Sequence, residues 1–385
     1  MVPRLRFSGF NDRWVKRFLS DISIITTGST PPTSEKKFYD SNDYMFISPF
    51  DIKDTNRFIN VSKNYVSELG FQEGRKLVPN TVLFVGIGST IGKVGQIKHE
   101  SITNQQIHSL IADENTSNDF IYSLLECKKN RIRLLASNQA VPQINKSDFS
   151  KLKFYFPSHK EQQKIASFIS SLDNKISQLE KKKTLLETYK RGIIQRIFSQ
   201  ELRFKDENGQ EFPKWEVKGL SEIFHIKAGG DIKKSKVSKV KTETFKYPVY
   251  SNSEKENGLY GFTDSYKFEN GVITVSGRGT LGIANARFEN FYPIVRLLCL
   301  IPKEEVDLIF FQHSINEIKI LPESTGVPQL TAPQLSLYKV SYPPLNEQKK
   351  IASFLSSIDN KIEITSTQLE KTREFKKGLL QQMFV

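Results

Sequence analysis

Two glycine-rich segments are the first places in this sequence where chemistry could occur. GIGSTIGKV begins at Gly86, and SGRGTLGIA begins at Ser276. A phosphate-binding loop needs four residues between its glycines and a Ser or Thr after its Lys. Val94 follows Lys93 instead, and the second segment has no Lys at all. We therefore reject nucleotide binding and predict that both segments are positive-φ turns beside a strand.

Basic and polar side chains near such turns could contact nucleic acid. The segment DIKKSKVSKVK holds five lysines in eleven residues, a density that suits a loop along a phosphate backbone, although a flexible solvated loop explains it equally well. Arg278 could bind guanine in a bidentate manner, but a loop Arg is more often solvated. The candidate DNA-binding residues are Lys36, Lys37, Arg57, Ser89, Thr90, Lys93, Lys233, Lys234, Lys236, Asn252, Arg278 and Thr280.

Motifs of enzyme chemistry are missing from the sequence. YPPL at Tyr342 lacks the Asn-Pro-Pro-aromatic order of adenine methylation, and no helicase-type ATP motif occurs. The five histidines have no metal-ligand spacing. We predict a chain without catalytic residues, metal or bound cofactor.

Cysteine content, the N-terminal sequence and the net charge indicate the cellular compartment and the kind of partner. Cys127 and Cys299 stand far apart, which predicts neither a disulfide framework nor a zinc site and suits the reducing cytoplasm. We expect no signal peptide and no membrane span. The 385 residues carry 56 Lys and Arg against 42 Asp and Glu, a net charge of +14. This balance favours a polyanionic partner such as nucleic acid.

An internal repeat covers nearly the whole chain. EQQKIASFISSLDNKI begins at Glu161 and EQKKIASFLSSIDNKI at Glu347, with thirteen of sixteen residues identical at an offset of 186. The same offset relates VPQINKSDF at Val141 to VPQLTAPQL at Val327, and Trp14 has its counterpart in Trp215. The sequence is a tandem duplication, and two of the three differences in the longest repeat exchange only Ile and Leu, which preserves a packing surface.

Each copy of the repeated motif opens a long heptad-patterned segment. Apolar residues recur at alternating steps of four and three, the pattern of a coiled-coil seam. Ordinary core helices are the alternative, but a span of roughly 39 residues, about 58 Å, favours pairing of the two helices. The residues predicted to pair are Ile165, Ile169, Leu172, Ile176, Ile351, Leu355, Ile358 and Ile362. We expect a capping box from Ser158 and Glu161, and Asn346 as the second cap.

Glycines within both helices, Gly192 and Gly378, indicate either a kink or a close contact with a partner.

The predicted fold class is mixed α/β. Runs such as TVLFVGI at Thr81 and GVITVSG at Gly271 are typical of strands. We predict a first globular domain over residues 1–156, a long helix over 157–200, a second domain over 201–342 and a second long helix over 343–385. The two helices would form an antiparallel coiled coil within a pseudo-twofold repeat.

Together, the repeated E-Q-x-K-I-A-S-F run, the Val-Pro-Gln segment before it and the G-[IL]-[IL]-Q-x-[IM]-F helix ending resemble the DNA specificity subunit of type I restriction-modification systems. The resemblance implies a non-catalytic subunit with two target recognition domains that read a bipartite site in double-stranded DNA, with the helices as spacer. It also implies two methyltransferase subunits and motor-nuclease (restriction) subunits as partners, which would carry S-adenosylmethionine, ATP and Mg²⁺. Because GGDIKKSK at Gly229 stands where the first copy has GSTPPTS, contacts do not transfer between the copies residue by residue.

Two other readings remain open from the sequence. One is a coiled-coil adaptor without DNA recognition, and the other is a self-sufficient DNA-modifying enzyme. Because the polar loops of the two copies differ, we further predict two different half-sites and thus an asymmetric site.

Overall fold

The computed structural model describes residues 2–136, 141–320 and 328–385. The chain divides into a first unit, Met1–Lys183 with Thr365–Val385, and a second unit, Thr184–Ile364. Both long helices are shared, because each unit contains part of each helix. The boundaries predicted from the sequence separate each globular part from the long helices. Each unit of the structure instead contains a globular part together with segments of both helices. Val327, which opens the second Val-Pro-Gln, lies outside the described residues.

The first unit consists of short strands and helices, in keeping with the mixed α/β prediction. Its strands are β1 Val15–Phe18, β2 Ser23–Thr27, β3 Tyr44–Ile47, β4 Phe58–Ile59, β5 Asn64–Val66, β6 Val82–Val85, β7 Val94–Ile97, β8 Ser101–Thr103, β9 Ile107–Ala112 and β10 Lys153–Phe156. Its helices are α1 Glu68–Glu73, α2 Asn118–Leu135, α3 Lys146–Ser150 and the first part of α4 His159–Phe198.

Among the described residues, the second unit follows a similar order with one strand fewer and without a helix between its fourth and fifth strands. Its strands are β11 Glu216–Gly219, β12 Phe224–Ala228, β13 Tyr247–Tyr250, β14 Leu259–Thr263, β15 Val272–Val275, β16 Ala284–Arg287, β17 Tyr292–Pro293, β18 Leu298–Pro302 and β19 Lys339–Tyr342. Its helices are α5 Leu220–Ile223, α6 Leu308–Asn316, α7 Ala332–Ser336 and the first part of α8 Leu345–Met383. The strands predicted at Thr81 and Gly271 are β6 and β15.

The sheets of the two units correspond strand by strand except for one edge strand. The order β2-β9-β6-β7-β4 in the first unit corresponds to β12-β18-β15-β16 in the second, where the strand equivalent to β4 is absent from the sheet described. The order β5-β3-β8 corresponds to β14-β13-β17, each with one antiparallel and one parallel pair. The pair β1-β10 corresponds to β11-β19. The mixed α/β prediction is confirmed.

The repeated glutamate of the helix opening anchors the start of each copy. Glu161 is 1% exposed and accepts two hydrogen bonds from Arg6, both 2.7 Å, and one from the Trp14 indole at 3.3 Å. Glu347 does the same with Arg203 and Trp215. A buried carboxylate is stable only when paired and hydrogen-bonded.

The predicted helix caps are corrected by these contacts. The Glu161 carboxylate is occupied by Arg6 and Trp14, so it does not form a capping box with Ser158. Asn346 lies inside α8, which begins at Leu345, and the amides of Glu347 and Gln348 donate to the Pro344 carbonyl.

The repeated glutamine that follows the glutamate joins three elements. Gln162 donates to the Pro157 carbonyl at 3.1 Å and accepts from the Ser117 amide at 3.1 Å. Gln348 makes the equivalent bonds with Pro343 and Asp307, at 2.9 and 3.0 Å. Ser117 and Asp307 are the N-caps of α2 and α6. Each copy of the repeated motif thus attaches a long helix to the segment after a strand and to the start of a second helix, α2 or α6. This shared role explains why the motif is the same in both copies.

The two long helices pair in antiparallel fashion within each unit. In the first unit, Leu369 of α8 packs against Ile176 and Leu179 of α4, and Lys376 forms an ion pair with Asp173. The second unit has the same pair with the helices exchanged, since Lys190 of α4 lies 2.6 Å from Asp359 of α8. The predicted coiled-coil pairing is confirmed.

The seam residues also pack against the sheets. Ile165, Ile169 and the partly buried Leu172 pack in the core of the first unit together with Leu379 and Met383 from the end of α8. In the second unit, the residues packed with Ile193 and Ile197 of α4 are Ile351, Leu355, Ile358 and the partly buried Ile362. Each seam thus serves two purposes, helix pairing and attachment of a sheet.

The glycines within the helices make no close approach to other described atoms. A Cβ at Gly192 or Gly378 would meet nothing within 4 Å.

Candidate nucleic-acid interface

Equivalent glycine-rich turns occupy one edge of each unit. The turn between β6 and β7 contains Gly88 at φ +99°, and the turn between β15 and β16 contains Gly279 at φ +72°. These left-handed conformations favour glycine. The amide of Ile144 donates to Gly86 O at 2.8 Å, and that of Leu330 to Gly277 O at 2.9 Å. The predicted positive-φ turns beside a strand are confirmed.

Two further loops join each turn. The Gly28 amide donates to Ile107 O at 3.2 Å, and the Gly229 amide to Leu297 O at 2.7 Å. These bonds bring the segment after β2 or β12 beside the loop before β9 or β18. We define the first loop face as residues 28–30, 86–90, 104–106 and 142–143. The second loop face consists of residues 229–236, 252, 277–280, 294–296 and 328–329.

The first loop face presents amides and hydroxyls. Thr30 donates to the Gln105 side chain at 2.7 Å, and the Asn104 amide donates to that of Gln106 at 2.9 Å. Ser89 and Gln143 are exposed. Such groups can donate to and accept from base edges, and asparagine and glutamine suit adenine.

The second loop face is braced by Asn252. Its amide nitrogen donates to Val295 O at 2.7 Å, and its amide oxygen accepts from the Gly277 N–H at 2.7 Å. Asn252 therefore holds two loops together, and its contact with a base stays a prediction. Thr280 donates to Glu254, which ties a further loop to the same turn.

A buried arginine of β16 fixes the loop at Asn257. Arg287 is 5% exposed, donates to Thr274 Oγ1 at 2.9 Å and to Asn257 O at 2.6 Å, and lies 3.6 Å from the Tyr250 ring centre. Burial raises the pKa of Tyr250 to about 12, and its hydrogen bond to Glu289 adds to the effect. Asn257 has φ +52°, so Arg287 stabilises a loop conformation that costs free energy on its own.

The lysine-rich segment extends the second loop face. Lys233, Lys234 and Lys236 are exposed around the 3-10 turn Lys234–Lys236, and their ammonium groups have no partner among the described residues. In the first unit, Lys36 and Lys37 are also exposed, and Lys37 lies 3.5 Å from Glu35. More uncompensated positive charge therefore lies on the second unit's lysine segment.

Ser89, Thr90 and Lys93 line a groove of about 380 Å³ beside α2, together with Lys129 and Arg133. The Lys93 ammonium is 3.5 Å from the Pro49 carbonyl. The structure thus brings Ser89, Thr90 and Lys93 together, and it places Ser89 and Thr90 at the edge of the first loop face.

The prediction for Arg57 is wrong. Its side chain is 2% exposed, donates to Gln96 at 2.8 Å and pairs with Asp119 and with Asp173 of α4. It also packs on the Phe58 and Tyr122 rings. With its donors used inside the first unit, this guanidinium is a structural link between sheet and helix. Basic character alone did not distinguish it from a surface arginine.

Sequence reasoning missed Arg296, Gln106 and Gln329 as members of the loop faces. Gln143 and Gln329 belong to the repeated Val-Pro-Gln, a signal that the sequence offered but that indicated only scaffold. Arg296 and Gln106 lack such a signal, because their nearness to the turns depends on the fold.

In the part of the chain that the structure describes, no cluster of three His, Cys, Asp or Glu suited to a metal occurs. Burial lowers the pKa of His313 to about 4, with help from Lys190, and burial also lowers that of His108. Burial raises the pKa of Cys299 to about 12, which disfavours a thiolate. Within the described ranges, none of the helices is long and apolar enough to traverse a bilayer.

Comparison with known proteins identifies the family. The model of the type I restriction modification DNA specificity domain matches residues 11–188 and again 213–372. The chain belongs to this family and carries its domain twice.

Individual relatives agree with this assignment. A putative type I specificity subunit of Mycoplasma pneumoniae is 32% identical over a match that covers 56% of this chain and 58% of that protein, so the chain spans little more than half of this relative's length. A putative type I restriction enzyme MjaX specificity subunit of Methanocaldococcus jannaschii is 28% identical, with 95% and 92% covered.

Among solved structures, the type I restriction-modification S subunit from M. genitalium has the same fold. The TM-score is 0.68 at 18% identity, and the match covers 100% of this chain and 99% of that one.

Proposed function

We propose that the chain is the specificity subunit of a type I restriction-modification complex and that each unit reads one half of a bipartite DNA site. The observation that carries this proposal is a contrast. The two units share their sheets, their helix pairing and their buried anchor residues, but their loop faces differ. Family membership supplies the class of ligand, DNA, and the net charge of +14 suits it.

Within this proposal the exposed lysines set affinity and the loop faces set sequence. Lys36, Lys37, Lys233, Lys234 and Lys236 would bind phosphates, which positions the protein without reading bases. Ser89, Thr90, Arg278 and Thr280 remain candidates for base or sugar contacts. Because the two loop faces carry different side chains, the two half-sites would differ and the whole site would be asymmetric.

The catalytic groups would belong to partner subunits. Two methyltransferase subunits would modify adenine with S-adenosylmethionine, and motor-nuclease subunits would use ATP and Mg²⁺ to cut unmodified DNA. Adenine must leave the base stack for methylation, so the specificity subunit would place the methyltransferases and hold the DNA while the base is flipped. We place this assembly in the cytoplasm. The free thiols Cys127 and Cys299 suit that compartment.

Co-expression with the methyltransferase encoded beside this chain, in a host without other modification, tests the proposal. Methylated adenines would be mapped by single-molecule sequencing. A gapped motif with two unlike halves is the expected result. An ungapped or palindromic motif contradicts the bipartite, asymmetric reading, and an assembled complex that methylates nothing favours an adaptor. Turnover by the purified chain alone, given S-adenosylmethionine or Mg²⁺ and DNA, would contradict the division of labour.

A further inference from the structure

Backbone hydrogen bonds define which residues of the two loop faces are equivalent. The bonds to Gly86 O and Gly277 O place Ile87 and Arg278 at the same position of the turn. Both residues also form an isolated antiparallel bridge to the repeated glutamine, Ile87 to Gln143 and Arg278 to Gln329. Position by position, the first turn therefore presents an isoleucine where the second presents an arginine.

The neighbouring loop gives a second difference of the same kind. The bonds from Gly28 to Ile107 O and from Gly229 to Leu297 O align the loops before β9 and β18. Gln106 and Arg296 each directly precede the bonded residue, so they correspond. At both differing positions the second unit has an arginine and the first has none.

Both arginines are held in place by backbone and remain free at their tips. A Cβ at Gly277 would lie 3.4 Å from Arg296 O, which shows how closely the two loops approach. Val295 and Arg296 adopt φ +55° and +57°, a conformation that costs free energy and is often kept at binding sites. Neither guanidinium has a hydrogen bond or ion pair with the residues described.

The chemistry of these side chains distinguishes base pairs. A free guanidinium binds O6 and N7 of guanine in the major groove, glutamine suits adenine, and an aliphatic side chain suits the thymine methyl group. Arg287, which lies in β16 of the second unit, does not compete for this role because it is buried and already hydrogen-bonded.

We infer that the half-site of the second unit contains a guanine read by Arg278 and Arg296, whereas the equivalent place of the first half-site holds an A·T pair facing Ile87 and Gln106. This inference rests on the proposed function and names the base that one of its sites selects. Gln143 and Gln329 are common to both faces and contribute nothing to the difference.

The test starts from the methylated motif of the wild-type complex, which independently decides the proposed function. Duplexes carrying 7-deazaguanine at one guanine at a time then remove N7 alone. For at least one guanine of one half-site, we expect this substitution to lower the affinity of the complex for the duplex about tenfold or more. If every guanine tolerates the substitution within twofold, or neither half-site contains guanine, the inference is overturned while the bipartite function stands.

Variants assign the effect to the arginines. R278I with R296Q gives the second turn the side chains of the first, and the matched I87R with Q106R makes the reverse exchange. The complex with R278I and R296Q should lose its sensitivity to 7-deazaguanine and select less strictly at that position, and the reverse pair should keep the sensitivity.

A protein that keeps full sensitivity after R278I and R296Q overturns the assignment. If that variant does not assemble, R278Q with R296Q removes both guanidinium groups and keeps polar side chains at the two positions. It should show the same loss of guanine selection, and undiminished selection would overturn the inference.

Discussion

Glu161 and Glu347 hold an arginine and a tryptophan in the same way, whereas Ile87 and Arg278 occupy the same turn with unrelated side chains. The two glutamates are almost fully buried, and the two turn residues are partly exposed. Burial explains the contrast. A buried charge must keep its partners, while a loop residue can change at little cost to stability.

Duplication has thus produced one scaffold, present in both units, that carries two different loop faces. The scaffold consists of the glutamate and glutamine anchors, the glycine turns and the helix pairs. The anchors and the helix ion pairs make the same contacts in both units. We therefore attribute differences in recognition chiefly to the loops, whose lengths and side chains differ.

Loss of the scaffold glutamate should have the largest effect. E161Q keeps the shape but removes the charge that Arg6 and Trp14 contact, and E347Q does the same in the second unit. Each should lower the free energy of unfolding of its unit by about 3 kcal/mol, measured by urea denaturation. E363Q, on an exposed part of α8, is the control and should stay within about 0.5 kcal/mol. Losses below about 1 kcal/mol for E161Q and E347Q would show that the anchor is dispensable.

Replacement of the exposed lysines, one unit at a time, should measure the electrostatic difference between the units. Replacement of Lys233, Lys234 and Lys236 by Ala should reduce the slope of log affinity against log salt by about 2 to 3. Replacement of Lys36 and Lys37 should reduce it by no more than about 1 to 2. Binding of the assembled complex to its site is titrated at several salt concentrations. An unchanged slope, or an altered sequence preference, would contradict a phosphate role for these lysines.

Acid should destabilise the second unit through His313. The folded pKa of about 4 lies below the usual value of 6.5, so between these values the unfolded state binds more protons. Stability should fall by roughly 1 to 2 kcal/mol as the pH drops from 7 to 5. H313Q should flatten this dependence in thermal unfolding, although His108, whose pKa is also lowered, leaves a remainder from the first unit. Equal pH slopes for both proteins would refute the contribution.

The helix ion pairs should differ slightly in strength. Lys376 and Asp173 are 13% and 10% exposed, whereas Lys190 and Asp359 are 22% and 46% exposed. Double-mutant cycles with Asp→Asn and Lys→Met should give a coupling of about 1 kcal/mol for the first pair and less than about 0.5 kcal/mol for the second. A stronger coupling at the more exposed pair would contradict burial as the cause.

Much of the scaffold could be predicted from sequence, because heptads, glycine turns and a repeated motif are local signals. The roles of Glu161 and Arg57 could not be predicted, since a capping glutamate and a surface arginine have the same sequence appearance as buried, paired ones. The roles proposed for Arg278 and Arg296 depend on two loops that only the fold brings together.

Photocrosslinking tests whether each loop face contacts its own half-site. A photoreactive residue is placed at exposed Ser89 or at exposed Lys234, with exposed Glu363 of α8 as control, and the assembled complex is irradiated on DNA carrying the mapped motif. Ser89 should crosslink to one half-site and Lys234 to the other, while position 363 should crosslink to neither half-site. Crosslinks from both loop faces to the same half-site, or from neither, would contradict this prediction.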